Sequence, residues 1–391
     1  MNKNKFIYFS RSDLGHNEIK SLTKTINSGW LTEGPQNKIF EKNLKRFLGC
    51  QYITLTSNAT SALDIAIKIL NLKKDDEIIT PSLTWASAAN MIELNNCKVV
   101  FVDIDPETLN LCYDDLKKKI NKNTKAIIPV HFAGRDYQIK KLKKIINNKK
   151  IKIIEDCSHA IGTFNKNKHV GLDSDFSVFS FHPNKNITTG EGGALISKKK
   201  RDFIYANKIK YLGLNKGTFN NNTKKKFTNK EVEFPSRKMI MSDLHASIGV
   251  AQLKRLNIFL KKRKLIAKSY YNGLKNLKNI KPLIFPKSNI GHSWHLFIIK
   301  FNFKKSKNTI SNIIQYFNKN NIGTGILYYP LHFHKYYKKK KNLGILKNTN
   351  FVKNKILSLP LHTQINKNDI KRVISILKFV DNKIQNSEKI L

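Results

Sequence analysis

Read for apolar and polar positions alone, the first half of the chain alternates two textures. Short β-branched runs recur: YITLTS (52–57), DEIITPS (76–82), KVVFVDID (98–105), KAIIPVHF (125–132), KIIEDCS (152–158) and FSVFSFH (176–182). Each is a continuous apolar run ending in a polar or turn residue, the pattern of a strand buried on both faces. Between them, SALDIAIKIL (61–70) and DYQIKKLKKIINN (136–148) repeat apolar residues at helical spacing. This alternation predicts an α/β layer with a largely parallel sheet. Such sheets gather ligands at the carboxyl ends of their strands.

The texture changes near residue 250. SDLHASIGVAQLKRLNIFLKKRKLIAKSYYNGL (242–274) predicts one long helix, followed by WHLFIIKF (294–301), a helix over SNIIQYFNKN (311–320), GTGILYYPLH (323–332) and a last helix from Asp369 to about Ile384. That second part reads as a smaller α+β domain. The division expected is a large domain over 1–250 and a small one over 251–391, with the boundary inside the long helix and the N-terminal segment able to reach the small domain. The tract NKGTFNNNTKKKFTNK (215–230) reads as an exposed loop.

Composition narrows the class. A hydrophobic fraction of 40% over 391 residues supplies a substantial core, and no apolar run has the length of a membrane span. The start, MNKNKFIYFSRSD, lacks the apolar stretch of a signal peptide. Four scattered cysteines, Cys50, Cys97, Cys112 and Cys157, form no C-x-x-C pair, which points to reduced thiols in a cytoplasmic protein and to no metal site. The formal net charge is +45. Lys, Asn and Ile share AT-rich codons, and the lysines are scattered rather than gathered in a stripe with aromatics. No specific nucleic-acid or membrane partner follows, although a basic polyanion-binding protein without catalysis stays open.

The stretch SFHPNKNITTGEGG (180–193) carries the chemistry. A lysine amine does covalent work on carbonyls by forming a Schiff base, and pyridoxal phosphate (PLP) is its commonest partner. That cofactor asks for an acid facing its ring nitrogen, backbone N–H groups and hydroxyls around its phosphate, and an apolar face against its ring. Asp156 ends the run KIIED and offers the acid, although a strand-end carboxylate is equally a helix cap. Thr60 and Ser61 in TSNATSALDIAI offer hydroxyls at a helix start, where an ordinary N-cap reads the same way. Trp85 in TPSLTWAS offers the ring face or a core aromatic, and Ser180 a further hydroxyl. The run Gly190-Glu191-Gly192-Gly193 lets the backbone turn sharply.

In this order, these features resemble the DegT/DnrJ/EryC1/StrS family of PLP-dependent sugar aminotransferases. SGWLTEGP (28–35), TPSLTW (80–85), VFVDIDPETL (100–109), IIPVHFAG (127–134), IEDCSHAIGT (154–163), GLDSDFSVFSFHPNKNITTGEGG (171–193), WHLFII (294–299) and LSLPLH (357–362) carry the likeness over almost the whole chain. SGWLTEGP, TPSLTW, SWHLFII and GTG followed by KYY are similar to the UDP-4-amino-4-deoxy-L-arabinose–oxoglutarate aminotransferases. The resemblance implies an aspartate aminotransferase type fold, PLP fold type I, and a homodimer with its active site at the interface. It implies Lys185 as the Schiff-base lysine, Asp156 as the partner of the pyridine nitrogen and His159 beside the ring hydroxyl. Trp85 would stack on the ring, and Thr60, Ser61 and Ser180 would hold the phosphate. A lysine rather than a histidine at 185 favours transamination over dehydration, with glutamate as donor and a nucleotide-linked keto sugar as acceptor for lipid A or a surface glycan. His182, His332, His334 and Arg11 are candidate substrate contacts. In PSRKMIMSD (235–243), Lys238 and Ile240 stand where relatives place an Asn that reaches the neighbouring subunit's phosphate. This departure keeps open a member with an altered reaction or a regulatory role.

Overall fold

The computed structural model describes residues 5–147, 150–215, 231–288, 290–303, 306–340 and 344–391. All six runs read as strands are strands: β1 (Ile53–Thr56), β2 (Glu77–Pro81), β3 (Lys98–Val102), β4 (Thr124–Ile127), β5 (Lys152–Asp156) and, after a small hairpin of β6 (Phe164–Asn165) and β7 (Lys168–His169), β8 (Phe176–Ser180). A strand the apolar pattern did not single out, β9 (Gly193–Ser197), completes a seven-stranded sheet in the order β1-β9-β8-β5-β4-β2-β3. Pairs from β3 through β8 are parallel, whereas β9 lies antiparallel to both β8 and β1. The register sets Ser180 opposite Gly193 and Thr56 opposite Gly193, so three chain ends meet at one edge of the sheet.

Helices cover both faces. Ala59–Ile69, Ser87–Leu94 and Lys200–Ile209 pack Ala62, Leu63, Ile65, Ala88, Ile92 and Ala206 into one core with Ile78, Ile154 and Val178 of the sheet. Pro35–Leu48 and the long helix Asp243–Leu274 pack Phe40, Leu44, Leu48, Ala246 and Leu256 against Ile53, Leu55 and Ile196. Complete burial of such side chains is worth about 1.5–3 kcal/mol each, which is why continuous apolar runs become central strands. Beyond the long helix, a three-stranded antiparallel sheet joins β10 (Ile280–Pro282), β11 (Phe297–Phe301) and β12 (Ile356–Leu359). Helices Ile310–Lys319 and Lys367–Gln385 pack on it, and Ile7 of the N-terminal segment enters the same core and bridges to Ile322. GTGILYYPLH forms no regular strand or helix beyond a short 3-10 turn at Leu331–Phe333 and one bridge from Gly325 to Ser358. Most of the Asn/Lys tract, 216–230, lies outside the described residues.

One carboxylate links two helices. Asp243 opens the long helix, is 1% exposed, and accepts from the N–H groups of Gly34 (2.9 Å), Gln36 (2.8 Å) and Asn37 (3.0 Å) and from Asn37 Nδ2 (2.7 Å). It thereby caps the free donors of Pro35–Leu48, which a glycine N-cap cannot do with a side chain. Asp243→Ala is expected to lower stability by about 2–4 kcal/mol, read by chemical denaturation, because it leaves several buried donors unpaired.

Candidate active site

The carboxyl ends of the parallel strands open onto a cavity of about 500 Å³, within the range of about 300–1,000 Å³ of small-molecule sites. Its wall is assembled from the turns that leave β1, β2, β5 and β8, and includes Asn58, Thr60, Trp85, Asp156, His159, Ser180, His182 and Lys185. Sequence reasoning did not anticipate Asn58, Thr84, Ser87, Ser158, Glu191, Leu327 or Tyr328. The Asn58 signal was present as an N-cap before a helix. Tyr328 had no signal, because it arrives from a segment without periodicity.

Local chemistry explains each placement. Asn58 Oδ1 accepts from Ser61 N at 2.8 Å and caps the helix Ala59–Ile69, whose N-terminus faces the cavity through Ala59 and Thr60. The Thr60 and Ser87 hydroxyls pair at 2.9 Å. Ser61 turns its hydroxyl to Ser57 at 3.1 Å and lies outside the lining. Gly193 is required where it is: a Cβ there would stand 2.4 Å from the carbonyl carbon of Asn58. The loop from Phe181 to Gly192 closes on itself. Phe181 N donates to Gly192 O, Thr189 N to Phe181 O, and the Thr188 hydroxyl to Phe181 O. Lys185 rides on it, held by a turn from its N–H to His182 O at 2.9 Å and by buried Asn186 and Ile187 on the next two positions.

Lys185 is half-buried, and among the described residues its amine has no hydrogen bond or ion pair. Asp156 is 8% exposed; its Oδ1 accepts from Ser158 N at 3.0 Å. Burial pushes the Lys185 amine down to about 8, and the Asp156 carboxylate pulls partly the other way. Burial, with the Lys185 charge beside it, holds His159 well below its usual range, so this imidazole is neutral near pH 7. His159 Nε2 meets the Tyr328 hydroxyl at 3.0 Å, and Tyr328 stands 5.9 Å from the Trp85 ring, which is 65% exposed at the rim. His182 is exposed, with Nδ1 2.9 Å from Asn184 Oδ1 and Nε2 3.9 Å from Glu191. Behind Asp156, the buried Glu155 Oε2 meets His131 Nε2 at 2.7 Å and accepts the Gly171 N–H at 3.0 Å.

The other expected substrate contacts lie elsewhere. His332 is 9% exposed and outside the cavity lining: Nδ1 pairs with the Ser82 hydroxyl at 2.6 Å and Nε2 with Asn350 Oδ1 at 2.8 Å. Its Nδ1 ties the end of β2 to the segment that carries Tyr328, and its Nε2 ties that segment to Asn350. His334 is exposed with Nε2 3.3 Å from Tyr329 O, and Arg11 lies exposed over the Tyr8 ring at 5.8 Å. Neither lines the cavity. Lys238 is exposed and bridges to Tyr211 through its backbone, while Ile240 is half-buried.

The titration of Lys185 is directly measurable. In protein freed of bound carbonyl compounds, acylation of Lys185 followed by peptide mass spectrometry is expected to be half-maximal near pH 8, against about 10.4 for exposed lysines. Asp156→Asn removes the one anion that favours the charged amine and is expected to move the midpoint lower. A midpoint among those of the surface lysines would contradict the desolvated setting.

A model of the DegT/DnrJ/EryC1/StrS aminotransferase family matches residues 12–378. Among solved structures, the aminotransferase TlmJ from Streptoalloteichus hindustanus is 25% identical, with a TM-score of 0.89 over 97% of this chain and 100% of that one. A sugar aminotransferase described as putative, Spr1654 from Streptococcus pneumoniae, is 28% identical in its PLP-form, with a TM-score of 0.87 over 97% and 99%, and is also solved in a PMP-form. PseC from Helicobacter pylori, an aminotransferase involved in the biosynthesis of pseudoaminic acid, is 28% identical, with a TM-score of 0.88 over 97% and 100%. With a sheet of this topology and a family match over nearly its whole length, the chain is a member of the DegT/DnrJ/EryC1/StrS aminotransferases.

Proposed function

We propose that the chain is a PLP-dependent aminotransferase that moves the amino group of glutamate to a nucleotide-linked keto sugar. A UDP-linked 4-keto sugar is the acceptor, and lipid A or another surface glycan receives the amino sugar. The observation that carries this reading is the Lys185 amine, without a hydrogen-bond or ion-pair partner among the described residues, on the wall of a cavity that also holds Asp156. The residues fit the cofactor: the start of the helix Ala59–Ile69, with Thr60 and Ser180, would form a phosphate cradle, and among the described residues the buried Nδ1 of His159 has no partner. When bound, PLP supplies an aldehyde that captures amines and a ring that withdraws electrons from the bond being broken.

The chain's own groups do the rest. The Asp156 carboxylate would hold the proton of the ring nitrogen, His159 would meet the ring hydroxyl, and Trp85 with Tyr328 would cover the ring and exclude water. Lys185 Nζ would take the proton from the donor's Cα in the first half-reaction and, in the second, return one to the sugar carbon that gains the amino group, a task suited to an amine whose pKa is near 8. His182 is the rim residue best placed to meet substrate. The UDP and C4 assignments rest on SGWLTEGP, TPSLTW, SWHLFII and GTG with KYY. The enzyme acts in the cytoplasm; no helix of the described residues is long and apolar enough to cross a membrane. It works as a homodimer, in which exposed Leu31, Leu212 and Val232 gain cover and Lys238 offers charge in place of an amide to the partner's phosphate. Residues 1–250 form the cofactor domain and 251–391 the smaller one.

The purified protein is expected to be yellow, to bleach on addition of glutamate, and to regain colour with a UDP-linked 4-keto sugar. Lys185→Ala is expected to lower turnover by about 1,000-fold or more with an unchanged circular dichroism spectrum. A yellow protein that glutamate leaves unchanged would point to an altered reaction or another donor. A colourless protein that PLP cannot reconstitute would return the polyanion-binding reading.

A further inference from the structure

Two imidazoles stand ring to ring beside the cavity. The centroids of His159 and His295 are 4.3 Å apart, with their planes at 42°, and the residues are 5% and 4% exposed. His159 lines the cavity; His295 does not, and approaches from the side of β11. Among the described residues, the buried Nδ1 of each has no hydrogen-bond partner.

The backbone around His295 is tightly fixed. Its N–H donates to Ala133 O at 3.1 Å. The buried Arg263 spends Nη1 on the carbonyls of Trp294 (3.2 Å), His295 (3.3 Å) and Leu361 (2.9 Å). Trp294 is held at φ +54°, a left-handed conformation unusual for a bulky residue. The preceding Ser293 donates its hydroxyl to His159 O at 2.8 Å and accepts at its own carbonyl from Asn186 Nδ2 at 3.0 Å. One strained segment therefore touches the turn carrying His159 and the loop carrying Lys185.

We propose that His295 is a positioning residue whose buried ring backs His159 and fixes the imidazole that lines the cavity beside Lys185. This rests on the reading of Lys185 as the amine that carries the reaction. The groups bearing on His295 are His159, Lys185, Arg263 and His182, all of which disfavour its charging. Those bearing on His159 are Lys185, His295 and the Tyr328 hydroxyl. With the ring behind it removed, His159 gains room to turn and water to solvate its charged form.

The test compares His295→Ala, which removes the ring, with His295→Phe, which keeps one. With 13C-labelled histidine and His159→Gln to assign the signal, NMR is expected to find His159 uncharged through neutral pH in the wild type. In His295→Ala it should titrate near its ordinary value of about 6.5, and in His295→Phe stay silent again. The glutamate half-reaction is expected to slow about tenfold or more in the alanine variant with little change in KM, and to recover in the phenylalanine variant. A His159 that stays untitrated in His295→Ala, or a phenylalanine variant that behaves as the alanine one, overturns the inference. If His295→Ala does not fold, His295→Asn carries the same comparison. A wild type that glutamate leaves unchanged sinks the functional reading instead, while the NMR comparison, which needs no turnover, still decides the role of His295.

Discussion

A primary amine in a cavity wall, without a hydrogen-bond partner among the described residues, has lost solvation that the polypeptide replaces only in part. The arrangement around Lys185 follows from having to hold it there. The flanking loop is closed by three hydrogen bonds onto Phe181, whose ring is fully buried, and by Ile187 and Asn186 on the far side. Burying one apolar side chain contributes about as much as the amine loses by moving to a pKa near 8. Asp156 stands close enough to be felt by the amine yet is not paired with it. A direct ion pair would stabilise the chain further and take the amine away from carbonyl chemistry.

The sequence announced the sheet because a strand buried on both faces has few ways of being written. KIIED and FSVFS are nearly uninterrupted apolar runs whose last residues, Asp156 and Ser180, edge the cavity, and EIITP leads into the turn from which Thr84 and Trp85 do the same. For the same reason Asp156, Ser180 and Lys185 were legible. GALIS was not, since a five-residue run between a glycine turn and a lysine cluster resembles loop, and its antiparallel pairing depends on partners distant in sequence. Tyr328 and His295 were illegible as parts of one site because they reach it from positions 131 and 98 residues beyond the end of β9 at Ser197, Tyr328 from a segment without periodicity and His295 from the head of the run WHLFIIKF. His332 misled in the opposite sense: a histidine in an aromatic run reads as a rim residue, but Ser82 and Asn350 satisfy both its nitrogens.

Charge tells a similar story of context over composition. The chain carries 72 basic and 27 acidic residues, and several of the scarce acids are consumed as internal acceptors. Asp243 caps Pro35–Leu48. Asp103 takes the N–H groups of Asn348 and Thr349, and Asp381 those of Lys278 and Asn279. A buried carboxylate that accepts several N–H groups is held by charge-assisted hydrogen bonds without a cation beside it. The lysine excess is thus left to the surface. There its field reaches only about 8 Å at physiological ionic strength, although it raises encounter rates with anions at low salt. The composition therefore bears on how fast an anionic ligand arrives, and the cavity on what happens to it.

What makes the cavity specific is the way separate strand ends are bound to one another. Ser82 joins β2 to the Tyr328 segment through His332, and Ser293 joins the turns of His159 and Gly134 to Asn186. Gly193 lets β9 start against the cap of the helix Ala59–Ile69. Each of these knots uses a small residue where a larger one would separate the chains. At Gly134, a Cβ would stand 2.3 Å from the Ser293 hydroxyl. The hydrophobic runs determine that a sheet forms, and the small polar residues at its edge determine how closely its loops converge. Only the second of these brings an amine, a carboxylate and a neutral imidazole onto one wall, and it does so through contacts between residues far apart in the chain.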